Sequence, residues 1–317
     1  MSPPTSRLPL PDWLVALRRM HLDARLDFEA APRLEPIRVG AAMHGALGRA
    51  CLALDGAPSP DRAPAEGLYA SLFGPPPPRG LDVFLDGQRT PALALSVRVG
   101  MRGSTVEVGL DLPPKAEPFV PRLVAALELA GRLGLGPERV PFRVSEVRAN
   151  GAAIYEPVAW LRDPEPERVI VEEPGPAGPT ILRALSPLRI VREGRELREP
   201  TLEDLVVAAA RRLAGYAHHH DPQGDAIPNV QSLVASLALP DVREARWERH
   251  ARRRYSRSTD REHPLEGAVG ELQLESGAES SAAIAIVLGG ARLGLGKGVS
   301  MGYGRLELLE RHGPPRS

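Results

Sequence analysis

With 317 residues, 43% of them hydrophobic and 25% charged, the chain has the composition of a globular protein and the length of one large domain or two of roughly 150 residues. A formal net charge of zero excludes a uniformly basic nucleic-acid binder, and the lone cysteine, Cys51, excludes an intrachain disulfide and a cysteine-built zinc site. No apolar run of about 18 residues occurs, and no basic segment precedes an apolar one at the N-terminus. Neither a membrane span nor a signal peptide is therefore expected, and the cytoplasm is the expected compartment.

Residues 1–12 read as a proline-rich lead. From His21 to Ala30 apolar residues alternate (Leu22, Ala24, Leu26, Phe28), which predicts a strand. Val39 to Leu54 predicts a helix, with Met43, Leu47 and Cys51 at four-residue steps, although three glycines weaken it. Residues 55–80 are turn-rich and reach a run of prolines that cannot continue a helix. Short strands are predicted at 81–86, 92–99 and 104–111. A helix opened by Pro118 and Pro121 and closed at Gly134 follows, then a strand at 141–148. Residues 156–179, rich in proline and acid, read as a linker. The second half restarts with a strand over 180–186 and a helix over 201–217, with Glu203 and Asp204 in its first turn, where they suit the helix dipole. A loop holding His218, His219 and His220 comes next, then a short helix near 228–237. Strands at 267–275 and 303–309 flank a helix near 279–289. Each half thus reads strand, helix, strands, helix, strand. The expected fold class is α+β, with two tandem ferredoxin-like (RRM-like) domains at 13–155 and 180–312.

Four constellations carry chemistry. The first is GLGKGVSMGYG at 294–304, five glycines in eleven residues around Lys297 and Ser300, whose backbone can approach a phosphate closely. It is not a P-loop, which would need glycine at Ala291 and serine or threonine at Gly298. Nor is it a dinucleotide fingerprint, which would need glycine at Val299. A glycine-rich turn without a ligand is the alternative. The second is Arg246 to Arg261, seven arginines against two acids with Trp247, His250 and Tyr255 interleaved. Arginines contact phosphates and aromatics stack unpaired bases; a solvated basic face is the alternative. The third is His44, mid-helix among small neighbours that leave its imidazole accessible, and able to act as base or acid near neutrality. A structural histidine is the alternative. The fourth is the triplet His218 to His220, whose side chains diverge and have only Asp221 nearby, so no metal is expected.

Several of these residues together resemble one family. The segment GKGVSMGYG ending at Gly304 is similar to the signature loop of CRISPR-associated RAMP proteins, most of all the endoribonucleases that process CRISPR precursor RNA (the Cas-six family). LYASLF at 68–73, SPLR at 186–189, RRYSR at 253–257 and LEGAVG at 265–270 resemble its other motifs, in order, from about residue 37 to 309. The resemblance implies RNA held between two ferredoxin-like domains and by the glycine loop. The implied contacts are Arg252, Arg253, Arg254, Tyr255, Arg257, Gly296, Lys297, Gly298, Ser300, Gly302 and Gly304. It also implies a cut without metal or other cofactor, by 2′-hydroxyl attack giving a 2′,3′-cyclic phosphate, with His44 as the catalytic residue. His21, ahead of the first strand, fits that place less well. No lysine precedes Lys115, so arginine or Lys297 has to supply positive charge to the phosphorane. The implied partners are CRISPR repeat RNA or crRNA and other Cas proteins of an effector complex. Three readings stay open: a repeat-specific endoribonuclease, a non-catalytic RAMP subunit binding crRNA, and an unrelated protein with an incidental arginine cluster.

Overall fold

A computed structural model describes residues 10, 12–30, 36–73, 96–157, 159–165, 167–168, 180–220, 230–256, 261–275 and 280–310. The first half contains α1 (Asp12–Ala16), β1 (Arg18–Phe28), α2 (Pro36–Leu54), α3 (Leu68–Phe73), β2 (Ser96–Arg102), β3 (Thr105–Leu112), α4 (Val120–Leu133), β4 (Phe142–Ala149) and β5 (Ala152–Glu156). Two short strands follow, β6 (Ala159–Trp160) and β7 (Glu167–Arg168). The second half contains β8 (Thr180–Ala184), a small hairpin of β9 (Val191–Arg192) and β10 (Arg195–Glu196), α5 (Leu202–His220), α6 (Val230–Ser236), β11 (Asp241–Ser256), β12 (Arg261–Glu275), α7 (Ser281–Arg292) and β13 (Leu306–Glu310).

Both halves are mixed helix and sheet with the same strand order. The first sheet runs β2-β3-β1-β4-β5-β6 and the second β11-β12-β8-β13. In each, the first strand lies inside, its neighbours are antiparallel, and two helices cover one face. The alternation of β1 explains its place. Met20, Leu22, Ala24, Leu26 and Phe28 enter the core with Val106, Val108 and Leu110 of β3, while Arg19, His21, Asp23, Arg25 and Asp27 take the other face. Val39, Met43, Leu47 and Cys51 of α2 face that core with Leu123, Leu127 and Ala130 of α4. In the second half, α5 and α7 pack so closely that a Cβ on Gly290 would lie 2.6 Å from the Cβ of Ala209. The start of α5 is fixed by a reciprocal cap. The Thr201 amide donates to Asp204 Oδ2 (3.0 Å) and the Asp204 amide donates to Thr201 Oγ1 (3.2 Å).

Several expectations shift. His21 lies inside β1 rather than ahead of it, and α1 begins within the proline-rich lead. His218 to His220 form the last turn of α5, not a loop after it. The expected strand at 81–86 lies outside the described residues, whereas β12 starts at Arg261, before the expected 267. The expected linker contributes β7, whose two residues pair with Arg18 and Arg19 of β1. Leu14 and Leu17 are fully buried in the core of the second half, so the N-terminal segment joins the two halves. The Tyr216 hydroxyl of α5 adds a tie by donating to the carbonyl of Arg18 (2.8 Å).

Candidate nucleic-acid interface

His44 sits in the middle of α2, half-buried, between segments from both halves of the chain. Three glycines in a helix cost about 1 kcal/mol each relative to alanine, yet two of these are where other elements come close. At Gly40, one turn before His44, a Cβ would lie 2.4 Å from the carbonyl oxygen of Met301, so the glycine loop packs directly on the helix backbone. At Gly48, one turn after His44, the neighbours are the rings of Tyr69 and Phe73 at 3.6 and 3.8 Å. Those rings stack on each other (centroids 5.2 Å, 17°), and Phe73 meets the His44 imidazole edge-on (5.1 Å, 62°). Their helix α3 is held by the buried carboxylate of Asp55, which accepts the amides of Leu68 (3.1 Å) and Tyr69 (2.8 Å) and an Arg122 guanidinium bond (2.7 Å). The accessible side of α2 around His44 therefore has small residues, an aromatic wall and the glycine loop at its edges.

The glycine loop is held open by its backbone. Gly294, Gly296, Gly298, Gly302 and Gly304 all have φ between 77° and 90°. At Gly296 a Cβ would lie 2.4 Å from the Arg189 carbonyl oxygen, so glycine is required there on both counts. The Lys297 amide donates to Arg189 O (2.9 Å), and Gly304 donates to Pro187 O (3.0 Å). This anchors the loop along the segment that follows β8, the SPLR motif. Lys297 is exposed at the tip, whereas Ser300 is buried and Tyr303 packs beneath Gly298, its phenol pushed up to about 12 by burial. Leu293, which leads into the loop, accepts two bonds from Arg212 of α5 (3.2 and 2.9 Å).

The basic stretch is a strand. Arg252, Arg253, Arg254 and Tyr255 pair with Leu265, Pro264, His263 and Glu262 of β12, while Arg257 lies outside the described residues. Acidic neighbours on β11 and β12 offset part of the charge seen in the sequence. Arg246 binds Glu244 (2.7 Å), and Arg249 binds Glu266, which this guanidinium holds below the usual carboxylate range. Trp247 packs on the core over Gly270 rather than standing ready to stack on a base. The hairpin and the glycine loop nonetheless belong to one ladder. Arg249 faces Ala268 in the register, Ala268 exchanges both backbone bonds with Leu188 (2.8 and 2.9 Å), and the next residue, Arg189, pairs with Gly296. At ~4.8 Å per step, Arg249 lies roughly 15 Å from Gly296 across this ladder, and Arg252 is three residues further along β11.

His21 has a different role from His44. Its Nδ1 meets Asp111 Oδ1 (2.9 Å) and its Nε2 meets Asp23 Oδ1 (2.9 Å); Asp111 also pairs with Arg19 and is buried. Burial disfavours the imidazolium, but the bonds and charges of Asp111 and Asp23 outweigh it and hold the His21 pKa above its ordinary value. Among the described residues no group of three or more His, Cys, Asp or Glu could hold a metal, and no helix is long and apolar enough to cross a membrane. The aromatic wall and the His21 cluster were not foreseen from sequence. The LYASLF segment supplies the two rings of the wall, and Gly48, one turn from His44, leaves room for them.

A family model described as CRISPR-associated endoribonuclease Cas6 matches residues 182–306, and one described as an N-terminal domain matches residues 17–166. No curated protein matches. Among solved structures, Thermus thermophilus Cas6 is 14% identical with a TM-score of 0.54, covering 93% of this chain and 99% of its own. A Cas6 product complex is 16% identical with a TM-score of 0.53, covering 93% and 100%. A partial Cas6-RT-Cas1–Cas2 complex is 11% identical with a TM-score of 0.53, covering 95% of this chain and 47% of the other. At such identities the structures establish a shared fold. Residues 182–306 thus match the Cas6 endoribonuclease family model, and the chain shares the fold of solved Cas6 structures.

Proposed function

We propose that this protein cuts CRISPR repeat RNA at the α2 surface around His44, without a metal, to release guide RNA. The observation that carries the proposal is the contact of Gly40 with Met301. The loop expected to hold RNA, in one half, rests one helical turn from the candidate acid–base group in the other. The two halves are read as tandem ferredoxin-like domains, about 13–155 and 180–312, because both have the strand order of that fold; α1 lies in the first by sequence but packs with the second. In the reaction, His44 takes the 2′-hydroxyl proton, the 2′-oxygen attacks the adjacent phosphorus and the bond to the 5′-oxygen breaks. That oxygen leaves with a proton taken from water, the proton on His44 returns to solvent, and the products are a 2′,3′-cyclic phosphate and a 5′-hydroxyl. Lys297, the 296–304 backbone and Arg252 to Tyr255 with Arg257 hold the strand.

Support also comes from relatives. One solved Cas6 structure is a product complex, another is a mutant Cas6, and a third is a partial Cas6-RT-Cas1–Cas2 complex. Repeat RNA and other Cas proteins are accordingly the proposed partners, and the cytoplasm the proposed compartment. The test is single-turnover cleavage of repeat RNA in excess chelator, with end-group analysis. His44→Ala is expected to lower the rate more than about tenfold while RNA binding persists. Tight binding with no cleavage by the native protein would instead establish the non-catalytic crRNA-binding role.

A further inference from the structure

We infer that Phe73 is a positioning residue for His44, a ring that orients the imidazole for proton transfer and is itself set in place by the buried carboxylate of Asp55; this rests on the cleavage reading above. Proton transfer needs the imidazole in one orientation, and a side chain that changes rotamer is elsewhere part of the time. The helix around His44 offers little to hold it. Gly40 and Ala41 lie one turn before, Gly45 beside it and Gly48 one turn after, and none has a side chain beyond Cβ. Phe73 reaches the imidazole from α3, edge-on at 5.1 Å and 62°. Contacts of this kind shift a rotamer equilibrium about two- to tenfold. Phe73 is held in turn. Tyr69, one turn earlier in α3, stacks on it, and both rings rest against Gly48. Six residues are too few for α3 to persist without tertiary support. Its start is pinned by Asp55, whose Oδ1 accepts the Leu68 amide (3.1 Å) and Arg122 Nη2 (2.7 Å) and whose Oδ2 accepts the Tyr69 amide (2.8 Å). Both oxygens face donors, so an asparagine amide would turn its own N–H groups on one of them. Gly67 lets the carboxylate lie against the helix start, since a Cβ there would sit 2.6 Å from Asp55 Oδ2. Asp55 directly follows α2. One buried side chain thus links the end of α2, through α3, back to the middle of α2 at His44.

The probe is the repeat RNA that the native protein cuts, with a copy carrying 2′-deoxyribose at the mapped cut position for binding. Phe73→Leu keeps an apolar side chain and removes the ring. It is expected to lower the single-turnover rate at saturating protein about fivefold, with the dissociation constant of the deoxy RNA changed less than about twofold. Asp55→Asn should lower the rate in the same way, and the two changes together should be no slower than the slower single variant, because both act through one contact. The decisive comparison is made in the His44→Ala background. There Phe73→Leu should leave the residual rate unchanged, whereas a general loosening of the fold would lower it as well. A native rate in Phe73→Leu, a loss confined to binding, or an equal loss with and without the imidazole overturns the assignment and leaves the cleavage reading standing. Should Phe73→Leu not fold, Asp55→Asn answers the same question by the same comparison. Failure of the native protein to cut overturns the reading and the assignment together.

Discussion

Replacing Gly40 by alanine should separate the glycine loop from α2, which carries the candidate residue His44, while leaving the side chains of both in place. The helix itself gains, since alanine is favoured over glycine by about 1 kcal/mol in a helix interior. Against this, the new methyl would lie 2.4 Å from the Met301 carbonyl oxygen and 3.0 Å from its carbon. That is about 1 Å inside ordinary contact, and the obstacle is backbone rather than a side chain that can turn away. Overpacking of this kind costs about 1–3 kcal/mol, so the net change in stability is small, about 0–2 kcal/mol. The functional cost should be larger, because a displacement of about 1 Å in a positioning element lowers rates by about a hundredfold. Single-turnover cleavage alongside denaturant melts, with Gly45→Ala as the control that makes only a 3.7 Å contact, separates the two effects. A Gly40→Ala protein that cuts at the native rate, with stability raised as much as in the control, would refute the idea that this contact assembles the site.

Joint replacement of Arg252, Arg253 and Arg254 should weaken RNA binding and flatten its dependence on salt, by about one unit of slope for each phosphate that is no longer neutralised; an unchanged slope in filter binding would mean the hairpin faces solvent. His21 should make stability depend on pH in a definite direction. Its folded pKa is raised, so its contribution is fully present below the unfolded value of about 6.5 and is lost as pH rises through the folded value. The stability gap between native protein and His21→Gln should therefore narrow as pH rises from about 6.5 through the raised folded value, and a constant gap in urea titrations would contradict the bridge to Asp111 and Asp23. If His44 is the base, the cleavage rate should rise with pH through the imidazole range, and His44→Ala should abolish that rise.

What could be read in the chain and what could not divides along physical lines. The alternation around Leu22 to Phe28 and the four-residue steps of Met43, Leu47 and Cys51 are local, because a side chain's face is set by the period of its own element. Those periods predicted β1, α2, α4 and α5, and the order of motifs from LYASLF to the glycine loop singled out His44 and the loop, whereas β11 was not read as a strand. The arginine-dense stretch was less legible. Its charge balance depends on Glu266, which only the register of β11 and β12 brings to Arg249. The alternating pattern was read from His21 onward, yet β1 starts at Arg18 and buries Met20 beside Leu112 of β3.

The sequence by itself determined that β1, α2, α4 and α5 form, which of their faces seek burial, and that a glycine-rich backbone lies near the C-terminus. Tertiary structure alone decided that this backbone meets Gly40, that Asp111 holds His21, and that Leu14 and Leu17 join the opposite half. A periodic pattern states that a face will be covered, but not by what. The partner is chosen by packing and strand pairing between segments far apart in the chain.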